Sequence, residues 1–273
     1  MKTTGRGLSL LLILFLISFP QLSETIYTPS LPDLAKDLDV GAHMAELTLS
    51  IYFVGFALGV SLWGILSDWF GRRQTMLWGL LVYIMGCVGC YYSSTIELLL
   101  LWRVLQAFGA SVGSVITQTM MRDIYSTEER SKIFAIVGMA IAASPAIGPI
   151  FGGAAAEYFG WKANFTALAI MGGILYAVCF LRLAESRPHN IHKRSLGSVM
   201  QLALTMMKDR HVISSALIIA ICNAILFSFY AEAPFVFIEL LHMTAGQYGF
   251  LGLVVAAATA LSALLSHRLS SRI

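Results

Sequence analysis

The decapeptide GILSDWFGRR, residues 64–73, places one acid, two adjacent arginines and two glycines between two long apolar runs. The rest of the chain is strongly hydrophobic: 58% of its 273 residues are hydrophobic and only 12% are charged. Soluble domains carry roughly 25% charged residues. The composition therefore excludes an ordinary soluble globule, and it indicates that GILSDWFGRR is a short polar turn between two membrane-spanning helices.

Eight apolar runs are long enough to cross a bilayer, whose hydrocarbon core of about 30 Å needs about 20 apolar residues of helix. They are continuous rather than alternating in polarity, which predicts an all-α, polytopic membrane helix bundle and not a β-barrel. The first run follows Lys2 and Arg6 as in a signal peptide, but no small-residue cleavage pattern follows it, so we interpret it as the first span. The runs cover residues 8–27, 46–67, 75–93, 98–120, 132–157, 164–183, 212–238 and 247–266.

The basic residues predict the orientation of these spans. If the runs alternate in direction, fifteen of the eighteen Lys and Arg residues fall on one side of the membrane, and only Lys36 and Lys162 fall on the other. Basic residues concentrate on the cytoplasmic side, so we predict a multi-pass protein of the plasma (inner) membrane with both termini in the cytoplasm. The net charge of +3 follows from this asymmetry and does not indicate nucleic-acid binding.

The longest connection between runs divides the chain. We predict an amino-terminal six-helix half at residues 1–183, a cytoplasmic connecting loop at 184–211, and the first two helices of a second half at 212–273. Small residues spaced four apart let membrane helices approach closely. Three such pairs predict tight packing of the first half: Gly55 and Gly59, Gly109 and Gly113, Gly148 and Gly152.

Ionisable residues inside the runs are candidates for function, because a charge in hydrocarbon is costly. Glu24 lies late in the first run, Arg103 lies inside the fourth, and Glu232 lies in the seventh. The alternative for each is a charge near the end of a span that reaches back to the interface. Arg103 cannot escape the cost by losing its proton, so we expect it to have a partner or a water-filled cavity.

Asp68 lies at an unfavourable position, since the carboxyl end of a helix carries partial negative charge. We expect it to be stabilised by Arg72, Arg73, Arg122 or the amino terminus of a neighbouring helix. An acid held in this way suits a latch that forms in one conformation and breaks in another. The alternative is a plain surface turn made flexible by Gly71.

Pro149 lies in the middle of the fifth run, where proline removes a backbone hydrogen bond and kinks a helix. Gly148, Gly152 and Gly153 surround it and allow tight contact on the kinked side. The pattern predicts a pliable helix at a bundle interface, or else a static kink.

Motifs for covalent, redox or metal chemistry are missing from the sequence. The four cysteines lie inside predicted spans, and Cys87-Val-Gly-Cys90 lacks the second ligand pair or βαβ context of a zinc or redox site. Paired carboxylates, a nucleophile triad and a phosphate loop do not appear either. We therefore predict no enzymatic activity, no cofactor and no metal.

Several motifs resemble the major facilitator superfamily. GILSDWFGRR resembles its loop between spans two and three, G-x-x-x-D-x-x-G-R-R. Arg103-Val-Leu-Gln106 is similar to its span-four pattern, with Ala107 where glycine is usual, and residues 148–153 resemble the core of its span-five antiporter motif. A closer resemblance, over the whole chain, is to the Bcr/CflA group of drug:proton antiporters. Its marks are residues 27–32 (YTPSLP), 121–125 (MRDIY), 159–165 (FGWKANF) and 231–238 (AEAPFVFI).

This resemblance implies a major facilitator fold of twelve helices in two halves around a central cavity. It also implies proton-driven export of small, often cationic or amphipathic compounds, with protons, a small-molecule substrate and membrane lipid as partners. Carried over by position, it implies a gate latch at Asp68, Arg72 and Arg73 and proton coupling at Arg103. We add Gly71 and Arg122 as candidates for the latch and Glu24 as a candidate for proton coupling. Candidate positions of the substrate cavity are Gln106, Glu232 and Tyr27.

The sequence departs from the family in two places. Thr25 stands where the family has an acid, and Glu24 lies one position earlier, about 100° around the helix. The chain also ends after the eighth predicted span, so we expect a shortened transporter with about eight of the usual twelve helices and without the family's latch partner near span eleven. Two alternatives stay open: a non-transporting remnant or membrane scaffold, and a sugar or metabolite transporter on the same fold. The substrate and the oligomeric state also stay open.

Overall fold

The computed structural model describes residues 9–188, 197, 201 and 204–270. Helices make up most of these residues, and no strand occurs among them, in agreement with the predicted all-α bundle. A 3₁₀ turn (Thr28–Ser30) precedes α2, and a π-helical segment (Phe235–Leu240) follows α8. The α-helices are α1 (Leu10–Thr25), α2 (Leu31–Asp37), α3 (Ala42–Phe70), α4 (Arg72–Tyr92), α5 (Ile96–Ile124), α6 (Thr127–Phe159), α7 (Lys162–Arg182), α8 (Arg210–Pro234) and α9 (Ala245–Ser270).

Six helical segments of the described chain are long and apolar enough to cross a membrane: Leu10–Asp37, Ala42–Phe70, Arg72–Tyr92, Ile96–Ile124, Lys162–Arg182 and Arg210–Leu240. The fifth and eighth predicted runs coincide with α6 and α9, which are 33 and 26 residues long. Some side chains of these two helices lie outside the described set. Their assignment as membrane spans therefore stays a prediction.

Helix α5 lies at the centre of the bundle and packs against α1, α3 and α4. Helix α4 also packs against α7, while α1 and α9 pack against α6. The predicted tight contacts are confirmed at all three glycine pairs, because a Cβ atom at any of the six positions would overlap a neighbouring helix. The atoms in the way include the carbonyl oxygen of Val104 at Gly55 and the backbone of Tyr83 at Gly109.

The short helix α2 is tied to the rest of the bundle at the predicted extracellular end. Asn164 Nδ2 donates a 3.1 Å hydrogen bond to Ser30 Oγ, and Trp161 Nε1 donates a 2.9 Å bond to Asp37 Oδ2. Lys36 Nζ lies 3.3 Å from Glu239 Oε1 on the π-helical segment. The 3₁₀ turn and α2 are therefore bonded both to α7 and to the π-helical segment that follows α8.

Helix α8 contacts the amino-terminal helices towards its carboxyl end. Phe227 packs edge to face on Phe53 of α3 with ring centroids 4.6 Å apart, whereas the side chains of residues 213–225 are exposed. Helix α9 packs against α6, where Gly249 meets the carbonyl oxygen of Pro149. Most of residues 189–203 lie outside the described chain, so the boundaries at 183, 184–211 and 212 stay predictions.

Candidate functional site

The centre of the bundle holds a fully buried arginine. Arg103 lies on α5 with no exposed surface, and its Nη1 donates a 2.6 Å hydrogen bond to Gln106 Oε1 one turn later on the same helix. Its Nε donates a 3.4 Å bond to the carbonyl oxygen of Thr48 on α3. The predicted need for a partner is thus met by neutral acceptors.

Aromatic rings surround the same guanidinium group. Its central carbon lies 4.2 Å from the ring centroid of Tyr27, 4.5 Å from that of Tyr52 and 5.9 Å from that of Phe165. The negative face of an aromatic ring attracts a cation, and the attraction is stronger away from water. The rings come from the end of α1, from α3 and from α7, so the cation is a common contact of three parts of the bundle.

Gln106 connects Arg103 to a further buried polar network. Its Nε2 donates hydrogen bonds to Cys87 Sγ (3.1 Å) and to Ser23 Oγ (3.5 Å), and the latter lies 2.9 Å from the hydroxyl oxygen of Tyr83. These hydrogen bonds connect α5 to α1 and α4, and they connect α1 to α4. Gln106 therefore links the Arg103 guanidinium to side chains of α1 and α4.

Glu24 is the acidic neighbour of this cluster. It is buried on α1 with 5% of its surface exposed, and the charge of Arg103 acts on its carboxyl group. Among the described residues, Glu24 Oε1 and Arg103 Nη2 are both buried without a hydrogen-bond partner. A buried polar atom without a partner is typical of a site that binds water, an ion or a ligand. Here one such atom is a potential donor and the other a potential acceptor.

The predicted cavity residues lie in different surroundings. Tyr27 and Gln106 are fully buried and contact Arg103, so neither lines an open cavity in this conformation. Glu232 on α8 is exposed, and its charge acts on Glu46 near the start of α3. The structure therefore brings two of the three candidates into the Arg103 cluster and leaves Glu232 outside it.

The second site is the GILSDWFGRR turn between α3 and α4. Arg72 is only 3% exposed, and its Nη1 donates a 2.6 Å hydrogen bond to Asp68 Oδ1. Its Nε donates a 3.0 Å bond to Asp123 Oδ2 at the end of α5. Asp68 is thus stabilised by Arg72, as the sequence predicted, and Arg72 itself pairs with two acids. Gly71 has φ +102, a conformation that suits glycine, and the tight turn there is confirmed.

The other two predicted latch arginines lie outside this ion pair. Arg73 is exposed and donates a 2.7 Å hydrogen bond from Nη2 to the carbonyl oxygen of Phe180. Arg122 is exposed, and its neighbour Asp123 is the residue that reaches the cluster. Of the partners considered for Asp68, the structure shows Arg72. Arg122 lies one position before Asp123, which turns its side chain by about 100° around α5, and its role in a latch stays a prediction.

The sequence analysis did not identify two residues, Glu185 and Arg187, that bond to the backbone of this turn. Both oxygens of Glu185 accept backbone hydrogen bonds at the start of α4, from Arg72 N (2.8 Å) and Arg73 N (3.1 Å). Arg187 Nη1 donates to the carbonyl oxygens of Asp68 (3.2 Å) and Trp69 (2.8 Å) at the end of α3. An anion at the amino end of a helix and a cation at its carboxyl end both interact favourably with the helix dipole. The only sequence signal for Glu185 and Arg187 is that they follow the end of α7.

The proline and glycine segment of α6 lies against two other elements. A Cβ atom at Gly148 would overlap Thr25, one at Gly152 would overlap the carbonyl of Ile26, and one at Gly153 would overlap the carbonyl of Ala245. Residues 148–153 therefore form the contact of α6 with the end of α1 and the start of α9. The helix continues through Pro149, and a kink there stays a prediction.

Taken together, the described residues form a buried charged cluster between membrane helices and an ion-paired turn at one end of the bundle. Comparison with known proteins decides the family. The sequence matches the Major Facilitator Superfamily over residues 11–273. The chain belongs to this superfamily.

Relatives differ in how far they have been characterised. An uncharacterized transporter of Rickettsia felis is 35% identical over 249 residues, covering 91% of this chain and 61% of the relative. Citrate exporter 1 of Aspergillus niger is 32% identical over 185 residues, which cover 67% of this chain and 35% of the relative. A bicyclomycin resistance protein homolog of Haemophilus influenzae is 24% identical over 255 residues, which cover 93% of this chain and 64% of the relative. The chain thus spans about 61% of the length of the Rickettsia relative.

Solved structures support the same fold. A bacterial homolog of the human lysosomal transporter Spinster, in an inward-facing and unoccupied conformation, superposes with a TM-score of 0.82 at 14% sequence identity. The match covers 100% of this chain and 65% of the other. The predicted major facilitator fold is therefore confirmed.

Proposed function

We propose that this chain acts in proton-coupled export of small amphipathic or cationic compounds, as the Bcr/CflA drug:proton antiporters do. The observation that carries the proposal is the burial of both Arg103 and Glu24 in the interior of the bundle, each with one buried atom that lacks a hydrogen-bond partner among the described residues. Arg103 keeps its charge, whereas a carboxyl group can take up a proton. The pair therefore contains one fixed and one exchangeable charge.

Such a pair supports exchange for a simple electrostatic reason. The Glu24 carboxylate can be neutralised by a proton or by a cationic substrate, but not fully by both at once. Loading one therefore favours release of the other, and the membrane interior makes an uncompensated charge costly.

In this scheme the whole transporter has two halves that alternate about a midplane site. We assign residues 1–183 to the first half, 184–211 to a cytoplasmic connecting loop and 212–273 to the first helices of the second half. The ion pair of Asp68, Arg72 and Asp123 holds the α3–α4 turn at the cytoplasmic end, with both chain termini on that side of the inner membrane. The name of the Haemophilus influenzae relative supports a drug as the exported compound.

A second candidate is export of a polycarboxylate. Its support is the likeness to citrate exporter 1 and the permanent positive charge of Arg103, which suits an anion. The two candidates differ in the sign of the solute's charge. A transport assay that offers both solutes therefore separates them.

The test is transport in proteoliposomes that contain the 273-residue chain. We expect an imposed pH gradient to drive flux of the cation ethidium, and we expect Glu24→Gln and Arg103→Lys to abolish that drive. Glu97→Gln, an exposed acid at the start of α5, is the matched control and should leave flux unchanged. Size-exclusion profiles identify variants that fail to fold.

Each outcome decides between the alternatives. Gradient-driven flux of citrate instead of ethidium would assign the second candidate. Unchanged ethidium flux in both site variants would remove the coupling role of Arg103 and Glu24. Absence of flux from the 273-residue chain, with flux restored in a chain extended by four further spans, would support a non-transporting form of this length.

A further inference from the structure

A large groove opens at the surface of the bundle between α1, the end of α5 and α7. It encloses about 1280 Å³ and lies apart from the Arg103 cluster. Its walls are apolar and include Leu12, Phe15, Met120, Ile170, Ile174 and Val178. Several of these side chains are themselves exposed, with Phe15 at 56% and Ile170 and Ile174 at 59%. The groove is thus open sideways to the hydrocarbon of the bilayer.

The groove is longer than the hydrocarbon depth of one leaflet. Along α7 its lining runs from Ala167 to Arg182, which is about 22 Å at a rise of 1.5 Å per residue. Half of a bilayer's hydrocarbon core is about 15 Å thick. An acyl chain that starts at the Arg182 end therefore has room to lie in the groove over the depth of its own leaflet.

One end of the groove is polar. Arg182 is in the last turn of α7, and Ser9 and Ser186 line the same end. The hydroxyl oxygen of Ser186 is buried and has no hydrogen-bond partner among the described residues. An unpaired buried hydroxyl costs free energy unless a ligand or water satisfies it. The end therefore offers a cation and a free hydroxyl donor beside an apolar channel.

Glu185 lies at the same end but does not oppose an anion strongly. Its two carboxylate oxygens accept the backbone N–H groups of Arg72 and Arg73 at the start of α4, and they also accept those of Ser186 and Arg187. Four donors and the positive end of a helix dipole thus compensate its charge. Arg182 remains the charge that faces the groove.

We propose that this groove binds an anionic phospholipid, with one acyl chain along α1 and α7 and the phosphate group at Arg182 and Ser186. Basic pockets between membrane helices on the cytoplasmic side recognise anionic headgroups in this way. A free phosphate ion would use the polar end but not the apolar walls. A lipid uses both, and it is the molecule that fills any gap between helices in a bilayer.

The test measures lipid retained by the purified 273-residue chain. The chain is exchanged into mixed micelles that contain equal amounts of dioleoylphosphatidylglycerol and dioleoylphosphatidylcholine, and bound lipid is counted by native mass spectrometry. We expect preferential retention of the phosphatidylglycerol. Because a basic residue near a membrane surface contributes about a fivefold gain in binding of anionic lipid, Arg182→Gln should lower its retention by about that factor.

Three further samples separate the parts of the proposal. Ser186→Ala should also lower retention of phosphatidylglycerol, and Ile174→Trp, which fills the groove, should displace both lipids. Arg210→Gln, an exposed arginine at the start of α8 and outside the groove, is the matched control and should match the unmodified chain. Size-exclusion elution confirms that each variant is folded.

The proposal is overturned if Arg182→Gln and Ile174→Trp retain as much phosphatidylglycerol as the unmodified chain. It is also overturned if inorganic phosphate displaces the lipid at millimolar concentration, since the site would then bind a free anion. Displacement by ethidium would instead mark the groove as a place for amphipathic solutes, and this too would refute the lipid assignment.

Discussion

Arg72 Nε donates a 3.0 Å hydrogen bond to Asp123, so the start of α4 is bonded to the end of α5. The two residues are 51 positions apart in sequence, and the arginine is almost completely buried. The same guanidinium also pairs with Asp68. One cation therefore connects the ends of three consecutive membrane helices.

The first prediction concerns this ion pair. Asp123→Asn leaves the buried Arg72 with one carboxylate instead of two, and loss of a charged hydrogen-bond partner costs about 1–3 kcal/mol. We expect a lower unfolding temperature in detergent, measured by the loss of the monodisperse peak on heating. Arg122→Gln at the neighbouring exposed position is the control and should change stability by less than about 0.5 kcal/mol. Equal effects of the two variants would contradict the assignment of Asp123.

Gly71 gives a second prediction. Its φ is +102, and an added Cβ atom would lie 2.5 Å from Glu185 Oε2. Gly71→Ala should therefore destabilise the chain by about 1–2 kcal/mol through strain at the turn. Gly64→Ala is the matched control, because no atom lies within 4 Å of a Cβ there and alanine favours a helix interior. The same heating assay checks both variants, and a stable Gly71→Ala would refute the turn geometry.

A third prediction addresses how Arg103 is held. Gln106→Leu removes the 2.6 Å acceptor of the buried guanidinium, which should cost about 1–3 kcal/mol and shift the proton dependence of transport. Gln118→Leu on the same helix, whose amide bonds only to Ser114 among the described contacts, serves for comparison. The measurement is ethidium flux at several external pH values. An identical pH profile for both variants would argue against Gln106 as a positioning residue.

The fourth prediction tests the contact between α6 and the end of α1. A Cβ atom at Gly152 would overlap the carbonyl of Ile26, whereas nothing lies within 4 Å of one at Gly138 on the same helix. Gly152→Ala should therefore separate the helices and lower both stability and transport, by about 1–3 kcal/mol in the unfolding free energy. Gly138→Ala should be tolerated. Comparable behaviour of the two would mean that the close approach is not required.

Much of the fold was predictable because a membrane allows few structures. Long apolar runs must be helices, and the glycine pairs at spacing four indicated where helices touch. Asp68 with Arg72 was predictable as well, since the two lie one helical turn apart across a tight turn. Local spacing was sufficient in each of these cases.

Contacts between distant parts of the chain were not predictable in the same way. Whether Asp123 or Arg122 reaches the α3–α4 turn depends on the rotation of α5 at its end, which one residue changes by about 100°. Glu185 lies 113 positions from Arg72 and looks like any solvated acid in sequence. The rings around Arg103 come from three elements, and no periodicity in one run reveals a cage of that kind.

The π-helical segment after Pro234 has a consequence for the chain beyond it. A π-helix closes its hydrogen bonds over five residues instead of four, as in the bond from Leu241 N to the carbonyl oxygen of Val236. It therefore accommodates one residue more per turn than an α-helix. Loss of a single residue between positions 235 and 238 would rotate Glu239 by about 100° relative to α8, away from Lys36. The π-helical segment thus sets the rotation of the chain that leads from α8 to α9.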